Sequence, residues 1–238
     1  MRFQSTRNAA HTVGLSEAIA RGLAPDGGLY VPTSLPQLNV PALAAASNLP
    51  ELAERLIAPF AAGDVMKDRL GEITRDAFNF AAPVVDVEGA RGPLSVLELF
   101  HGPTAAFKDF GARFLAATLE RIPRADPRRL TILVATSGDT GGAVAAAFFD
   151  RPWVDVVVLY PRGLVSPRQE KQLACWGRNV RTLSVASTFD ECQRLFKEAF
   201  VNAALAKSLL LSSANSINVG RLLPQMVYYA RASLELAR

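Results

Sequence analysis

One lysine set among phenylalanines is the residue of this chain best placed for covalent chemistry. Lys108 stands in the stretch 97–114, LELFHGPTAAFKDFGARF. At helical spacing its own face carries Ala105, Ala112 and Leu115, and Phe107, Phe110 and Phe114 form the adjacent stripe. An ammonium in apolar surroundings is costly to keep charged, which favours the neutral amine. A neutral lysine amine is a nucleophile, and Schiff bases to carbonyl compounds are its usual use. A structural reading competes: a helical lysine reaches water along its stem, with Asp109 or Glu98 as an ion-pair partner.

Two further stretches suit anions. The segment 136–142, TSGDTGG, follows an apolar run and precedes an Ala-rich helical pattern. Such a turn points backbone N–H groups and the positive end of a helix at a ligand. It has neither the Gly-Lys-Ser/Thr of a Walker A loop nor a GxGxxG turn. It would serve equally as a capped bend whose glycines allow close packing. The segment 212–218, SSANSIN, is followed by Arg221 one helical turn on. Amides, hydroxyls and a guanidinium at a helix start suit a phosphate or carboxylate, although Asn and Ser are also ordinary caps.

The elements that must position these residues follow from hydrophobic period and punctuation. Strand-like runs at 94–100, 130–135, 154–160, 180–185 and 209–213 alternate with helical patterns at 104–121, 141–149, 167–176, 189–206 and 219–238. Thr104 is the expected cap of the first helix. Five strand–helix pairs predict an α/β fold, a parallel sheet with helices on both faces. Right-handed crossovers would bring the loops after 100, 135 and 211 to the carboxyl edge, where ligands of such sheets bind. Upstream, Ser5-Thr6-Arg7 lies in a short strand, and Ser16 caps a helix over 17–23. A tight turn over 24–32 leads into another short strand. Helices follow at 40–46, 49–60 and 66–77, then a linker with strand character at 83–92. This pattern predicts a small N-terminal α/β domain over 1–85 and the larger α/β domain over 86–238.

Composition narrows the function class. The 238 residues are 50% hydrophobic, enough for one to two domains. The net charge of +4 is spread out, and the basic clusters at 121–129 and 162–171 lack interleaved aromatics, which argues for solvated surface and against nucleic acid. Cys175 and Cys192 suit reduced thiols rather than a disulfide framework. His11 and His101 alone build no zinc site, so no metal is expected. The start resembles no signal peptide, and no run is long enough to span a bilayer. A cytoplasmic protein is expected.

The three constellations together carry a family likeness. Ser5-Thr6-Arg7, LAPDGGLY at 23–30, FHGPTAAFKDF at 100–110, the loop 135–142 and NSIN at 215–218 resemble the threonine synthases, along essentially the whole chain. These are pyridoxal-phosphate enzymes of fold type II, related to tryptophan synthase β. The resemblance implies that Lys108 holds pyridoxal 5'-phosphate as an internal aldimine and later moves protons at the α and β carbons of O-phosphohomoserine. The γ-phosphate leaves, and water adds at the β carbon to give threonine. It implies that Thr136, Ser137 and Thr140 bind the substrate carboxylate and that Asp139 faces the cofactor's ring oxygen, where many relatives carry Asn. Asn215, Ser216, Asn218 and Arg221 are the candidates for the substrate phosphate.

Members of this family continue beyond position 238 with a Gly-Asn-Phe-Gly-type loop that grips the cofactor phosphate and a residue facing the pyridine nitrogen. The expectation for residues 1–238 by themselves is weak cofactor binding, no threonine formation, and self-association through an uncovered sheet edge. Two other readings are a catalytically incompetent remnant or binding module, and a different fold type II lyase. The motif at 26–30 favours threonine synthase over the latter.

Overall fold

Short apolar runs interrupted by Gly, Pro and Asn build the first third of the chain from small elements. The computed structural model describes residues 1–89, 92–123 and 126–237. Parts of the linker 83–92, of the basic cluster 121–129 and the last residue of the helix 219–238 therefore lie outside the described residues. Strands β1 (Phe3–Ser5), β2 (Thr12–Val13) and β3 (Tyr30–Pro32) form an antiparallel sheet in the order β2-β1-β3. The turn before β3 is clamped by Asp26, whose carboxylate accepts from Ser5 Oγ at 2.8 and 2.9 Å and from the Gly28 amide at 2.9 Å. The Gly28 amide first, and then the Ser5 hydroxyl, hold this carboxyl below its ordinary pKa.

Helix α1 (Leu15–Arg21) starts two residues earlier than expected. Ser16 does not cap it; the Ser16 amide and hydroxyl both donate to Asp64 Oδ2, at 3.1 and 3.0 Å. Helices α2 (Val40–Ala44) and α3 (Leu49–Ile57) open on Asn39 and Asn48, whose side chains accept from Ala42 N and Glu51 N, each with Pro in the first turn. A 3-10 turn, Lys67–Arg69, leads into α4 (Leu70–Ala77).

The run 94–100 is not a strand of the parallel sheet. Strands β4 (Val84–Asp86) and β5 (Ser95–Leu97) pair antiparallel, with Val84 opposite Leu97. Both are half-exposed to exposed, and a parallel strand needs cover on both faces. A boundary at 85/86 falls inside β4. Beyond it come α5 (Lys108–Arg121), β6 (Leu130–Ala135), α6 (Asp139–Phe148), β7 (Val154–Pro161), α7 (Pro167–Ala174), β8 (Val180–Val185), α8 (Phe189–Val201), α9 (Ala203–Ser208), β9 (Leu210–Ser213), α10 (Val219–Leu222) and α11 (Gln225–Leu236). The parallel sheet runs β8-β7-β6-β9, four strands rather than five. The helix expected over 189–206 is divided at Asn202, whose side chain accepts from Ala204 N and Leu205 N. The helix expected over 219–238 is divided at Pro224, which has no N–H to continue a helical ladder.

A single hydrophobic cluster spans the N-terminal elements and the sheet, with α5 at its centre. Phe110 and Phe114 are fully buried, and Phe110 meets Phe80 and Tyr228 edge-on at 4.7 and 5.1 Å between centroids. Each such ring contributes about 1.5–3 kcal/mol by burial. Arg121 departs from the solvated role expected of its cluster. Its Nη1 donates to Asp76 Oδ2 at 2.9 Å, and Arg113 donates to the Asp76 carbonyl at 2.6 Å, so α5 is tied to α4. No helix among the described residues is long and apolar enough to cross a membrane.

Asn218, expected at a ligand phosphate, is buried instead. As cap of α10 it accepts from Gly220 N at 2.8 Å and donates to Ile19 O at 2.9 Å, joining α10 to α1. Asn218→Ala should leave both groups unpaired and lower stability by about 1–3 kcal/mol. Urea unfolding should show a lower midpoint with an unchanged slope; an unmoved midpoint would refute this role.

Candidate active site

Lys108 owes its position to its neighbour. Thr104 caps nothing; its N–H and Oγ1 donate to the Asp109 carboxylate at 2.8 and 2.6 Å, and Asp109 is 1% exposed. A Cβ on Gly102 would stand 2.5 Å from Asp109 Oδ2, so only glycine fits there. Ala105 takes a positive φ of 54°, a strained conformation for a residue with a Cβ. The segment 102–107 is thus a turn folded over Asp109, and the helix begins at Lys108, four residues later than expected.

At that first position the lysine stem leaves the core. Phe110 and Phe114 point inward, Phe107 is exposed, and the Lys108 side chain keeps 25% of its surface. Its Nζ lies 3.3 Å from Asp139 Oδ2 and 4.9 Å from the Phe107 ring centroid. The wholly apolar setting expected from helical spacing is therefore replaced by a carboxylate on one side and a ring on the other. Neither Asp109 nor Glu98 is the partner: Asp109 holds Thr104, and Glu98 pairs with His101 at 2.7 Å.

The loop 136–142 divides its labour. Thr136 is buried and its hydroxyl is fully used, accepting from Gly138 N and Gly141 N at 3.0 Å each and donating to Gly138 O at 3.1 Å. Its hydroxyl shapes the loop, and the residue lines the cavity described next. Gly138 has φ 150°, and a Cβ there would meet Gln169 Nε2 at 2.5 Å. Ser137 is exposed and Thr140 half-buried, and their hydroxyls take no partner among the described residues. Both line a cavity of about 190 Å³ with Asn215 and Ser216, because β9 pairs with β6 and brings the two loops side by side. Asp139 opens on a different cleft, walled by Phe100 and Thr104. Its carboxyl is held below its ordinary pKa, first by the Gln169 amide and then by the Lys108 ammonium.

Arg221 does not line this cavity. It is 4% exposed, its Nη1 donates to Ala214 O at 2.7 Å, and its Nε has no partner. Burial pushes its pKa down to about 10. It supports the 213–216 turn from behind. Of the expected site residues, Lys108 and Asp139 therefore meet each other, Thr136, Ser137, Thr140, Asn215 and Ser216 share a cavity in which the Thr136 hydroxyl is spent on the loop itself, and Asn218 and Arg221 are buried against backbone. Sequence reading missed Gln169, although Ser166-Pro167-Arg168-Gln169 carries the capping-box spacing, and Gln193 on the cavity wall.

Comparison with known proteins places this geometry. A family profile described as "Threonine synthase N terminus" matches residues 2–78. The threonine synthase of Haemophilus influenzae is 42% identical over 238 residues, covering all of this chain and 55% of the relative. The crystal structure of threonine synthase from Escherichia coli superposes with a TM-score of 0.87 at 41% identity, over 99% of this chain and 54% of that one. Along its whole length the chain is similar to threonine synthases, and its residues 2–78 match their N-terminal profile. A PLP-bound threonine synthase from Brucella melitensis has a TM-score of 0.88 at 39% identity, over 99% of this chain and 52% of that one. The chain spans about half the length of the curated threonine synthases it matches. Its α/β architecture, with a parallel sheet flanked by helices, is the fold type II class of this family.

Within the threonine synthase fold, Thr136 shapes the loop from behind while Ser137 and Thr140 face outward. Thr136→Val should remove three hydrogen bonds at once and lower stability by about 1–3 kcal/mol. Amide exchange at Gly138 and Gly141 should accelerate well beyond that of the β6 amides. Unchanged protection at both glycines would mean that the hydroxyl does not hold the turn.

Proposed function

We propose that this chain is the N-terminal part of a cytoplasmic threonine synthase. The whole protein converts O-phospho-L-homoserine and water to L-threonine and phosphate, with pyridoxal 5'-phosphate bound through Lys108. The observation that carries the reading is the Lys108 amine held by Asp139 at the α6 N-terminus, whose neighbouring Ser137 and Thr140 line a cavity with free hydroxyls. A primary amine with a quarter of its side chain exposed is chemically suited to an aldehyde, so the residues present fit the cofactor's carbonyl end. When bound, pyridoxal phosphate supplies an electron-withdrawing ring that makes the substrate's α proton removable.

The chain's own residues would then act as follows. Ser137 and Thr140 donate to the substrate carboxylate, aided by the positive end of α6. The Asn215 amide and the Ser216 hydroxyl receive the substrate phosphate on the opposite wall of the same cavity. With its amine free, Lys108 would take a proton from the substrate's α carbon and deliver protons at the β carbon. Asp139 stays ionised and accepts hydrogen bonds, so it stabilises an ammonium or another donor rather than donating to a ring oxygen.

Borohydride treatment of the natural full-length protein loaded with pyridoxal phosphate should fix the pyridoxyl group on the peptide containing Lys108. Lys108→Ala should abolish the label and nearly all turnover. Label on Lys171 or Lys197 instead would sink the assignment. Ser137→Ala and Thr140→Ala should each reduce kcat/KM for phosphohomoserine by roughly ten- to a hundredfold, the effect of one charge-assisted hydrogen bond. Their pyridoxyl labelling should persist; normal kinetics in both variants would make the loop structural only.

A further inference from the structure

Asp139 does not stand alone beside Lys108. Its Oδ1 accepts from Gln169 Nε2 at 2.9 Å while its Oδ2 faces Lys108 Nζ at 3.3 Å. The Gln169 amide cannot turn round, because its Oε1 accepts from Ser166 N at 3.2 Å and from Ser166 Oγ at 3.1 Å in the capping box of α7. Helix α7 is itself anchored, with Leu173 buried and its carbonyl accepting from Thr182 Oγ1 at 2.8 Å. The way from α7 to Asp139 lies open only because Gly138 has no side chain, since a Cβ there would overlap Gln169.

We infer that Gln169 is a positioning residue for the site, fixing one oxygen of Asp139 so that the other is aimed at the Lys108 amine. The inference rests on the reading of Lys108 as the cofactor lysine, and it goes beyond it by assigning a residue on a third helix. The physical need is plain. The Asp139 side chain is 48% exposed, and an ion pair that exposed is weak because both side chains wander. A second hydrogen bond from a fixed donor removes one of those freedoms, and Nζ then has one preferred place to be. Among the described residues Lys108 is the charged group facing Asp139, and Gln169 is the neutral one. The Gln169 contact is also the largest cause of the lowered Asp139 pKa.

The test uses the natural full-length protein stripped of carbonyl cofactor, with two readouts that do not depend on turnover. The first is the carbon-13 carboxyl titration of Asp139. The second is the rate at which Lys108 is acetylated by acetic anhydride, with acetate as the leaving group, mapped by peptide. Gln169→Met removes the donor and should raise the Asp139 midpoint and speed Lys108 acylation about two- to fivefold. Ser166→Ala is the control for helix capping: it weakens the start of α7 but leaves the Ser166 N–H on Oε1, so both readouts should stay near wild type. On an Asp139→Asn background, Gln169→Met should add nothing further to the acylation rate. If Gln169→Met does not fold, Gln169→Glu keeps the capping box while replacing the donor by a carboxylate, and it too should raise the Asp139 midpoint.

An unmoved Asp139 midpoint, or additive effects of Gln169→Met and Asp139→Asn on acylation, would overturn the inference. Both results are separable from failure of the cofactor reading, which shows only in where borohydride places the pyridoxyl group.

Discussion

A buried carboxylate demands hydrogen bonds, and the way Asp109 obtains them shapes everything around the candidate site. Thr104 supplies two donors five residues upstream, so the chain must fold back over the start of α5. That fold leaves no room for a side chain at Gly102 and forces Ala105 to a positive φ. It also delays the helix until Lys108. A helix that began at Thr104 would have carried the lysine into its second turn. Beginning at Lys108, it leaves the amine at the border, with Phe110 and Phe114 sunk in the core two and six residues on.

The N-terminus of α6 then serves as a wall between two spaces. Ser137 and Thr140 face the cavity shared with the 213–216 turn, and Asp139 faces Lys108. Negative charge is favoured at this end of a helix, which suits both Asp139 and an anionic ligand. Ser137, Asp139 and Thr140 thereby divide the outward polar groups of this turn between the two spaces, while the buried Thr136 hydroxyl holds the turn that aims them.

The parallel sheet supplies the remaining distance constraint. β9 lies next to β6 with Leu133 opposite Ser213, so loops 75 or so residues apart in sequence become neighbours at one edge. Two buried scaffold residues, Asn218 and Arg221, keep the second loop in place from the inside. The Asp76 contacts of Arg113 and Arg121 hold the other flank of α5 against α4. The site is thus framed on both sides of a single helix.

Much of this was legible in the residue order. β6 matches its apolar run to the residue, since a strand buried between helices reads as an unbroken hydrophobic segment, and β8 matches its expected bounds as a partly exposed edge strand. The lysine, the Gly-rich turn and the NSIN turn were visible as the places where chemistry could occur, and the motifs carrying them pointed to one family. Local punctuation at Asn202 and Pro224 was present as well, although the periodicity on either side suggested unbroken helices. What residue order left open was direction. A threonine, an asparagine or an arginine has the same hydrogen-bonding capacity whether it meets a ligand or its own backbone. Thr136, Asn218 and Arg221 turned inward because the backbone groups they satisfy would otherwise be buried unpaired. For Asn218 that partner is Ile19, 199 residues away, and for Lys108 it is Asp139, 31 residues away. Likewise, the apolar run 94–100 is assigned to a hairpin by its antiparallel pairing with Val84–Asp86 and by its exposure, neither of which residue order shows. Sequence alone determined which groups were available for chemistry; which of them face a cavity was decided by contacts between remote segments, because burial and hydrogen-bond satisfaction are properties of the packed chain and not of its local order.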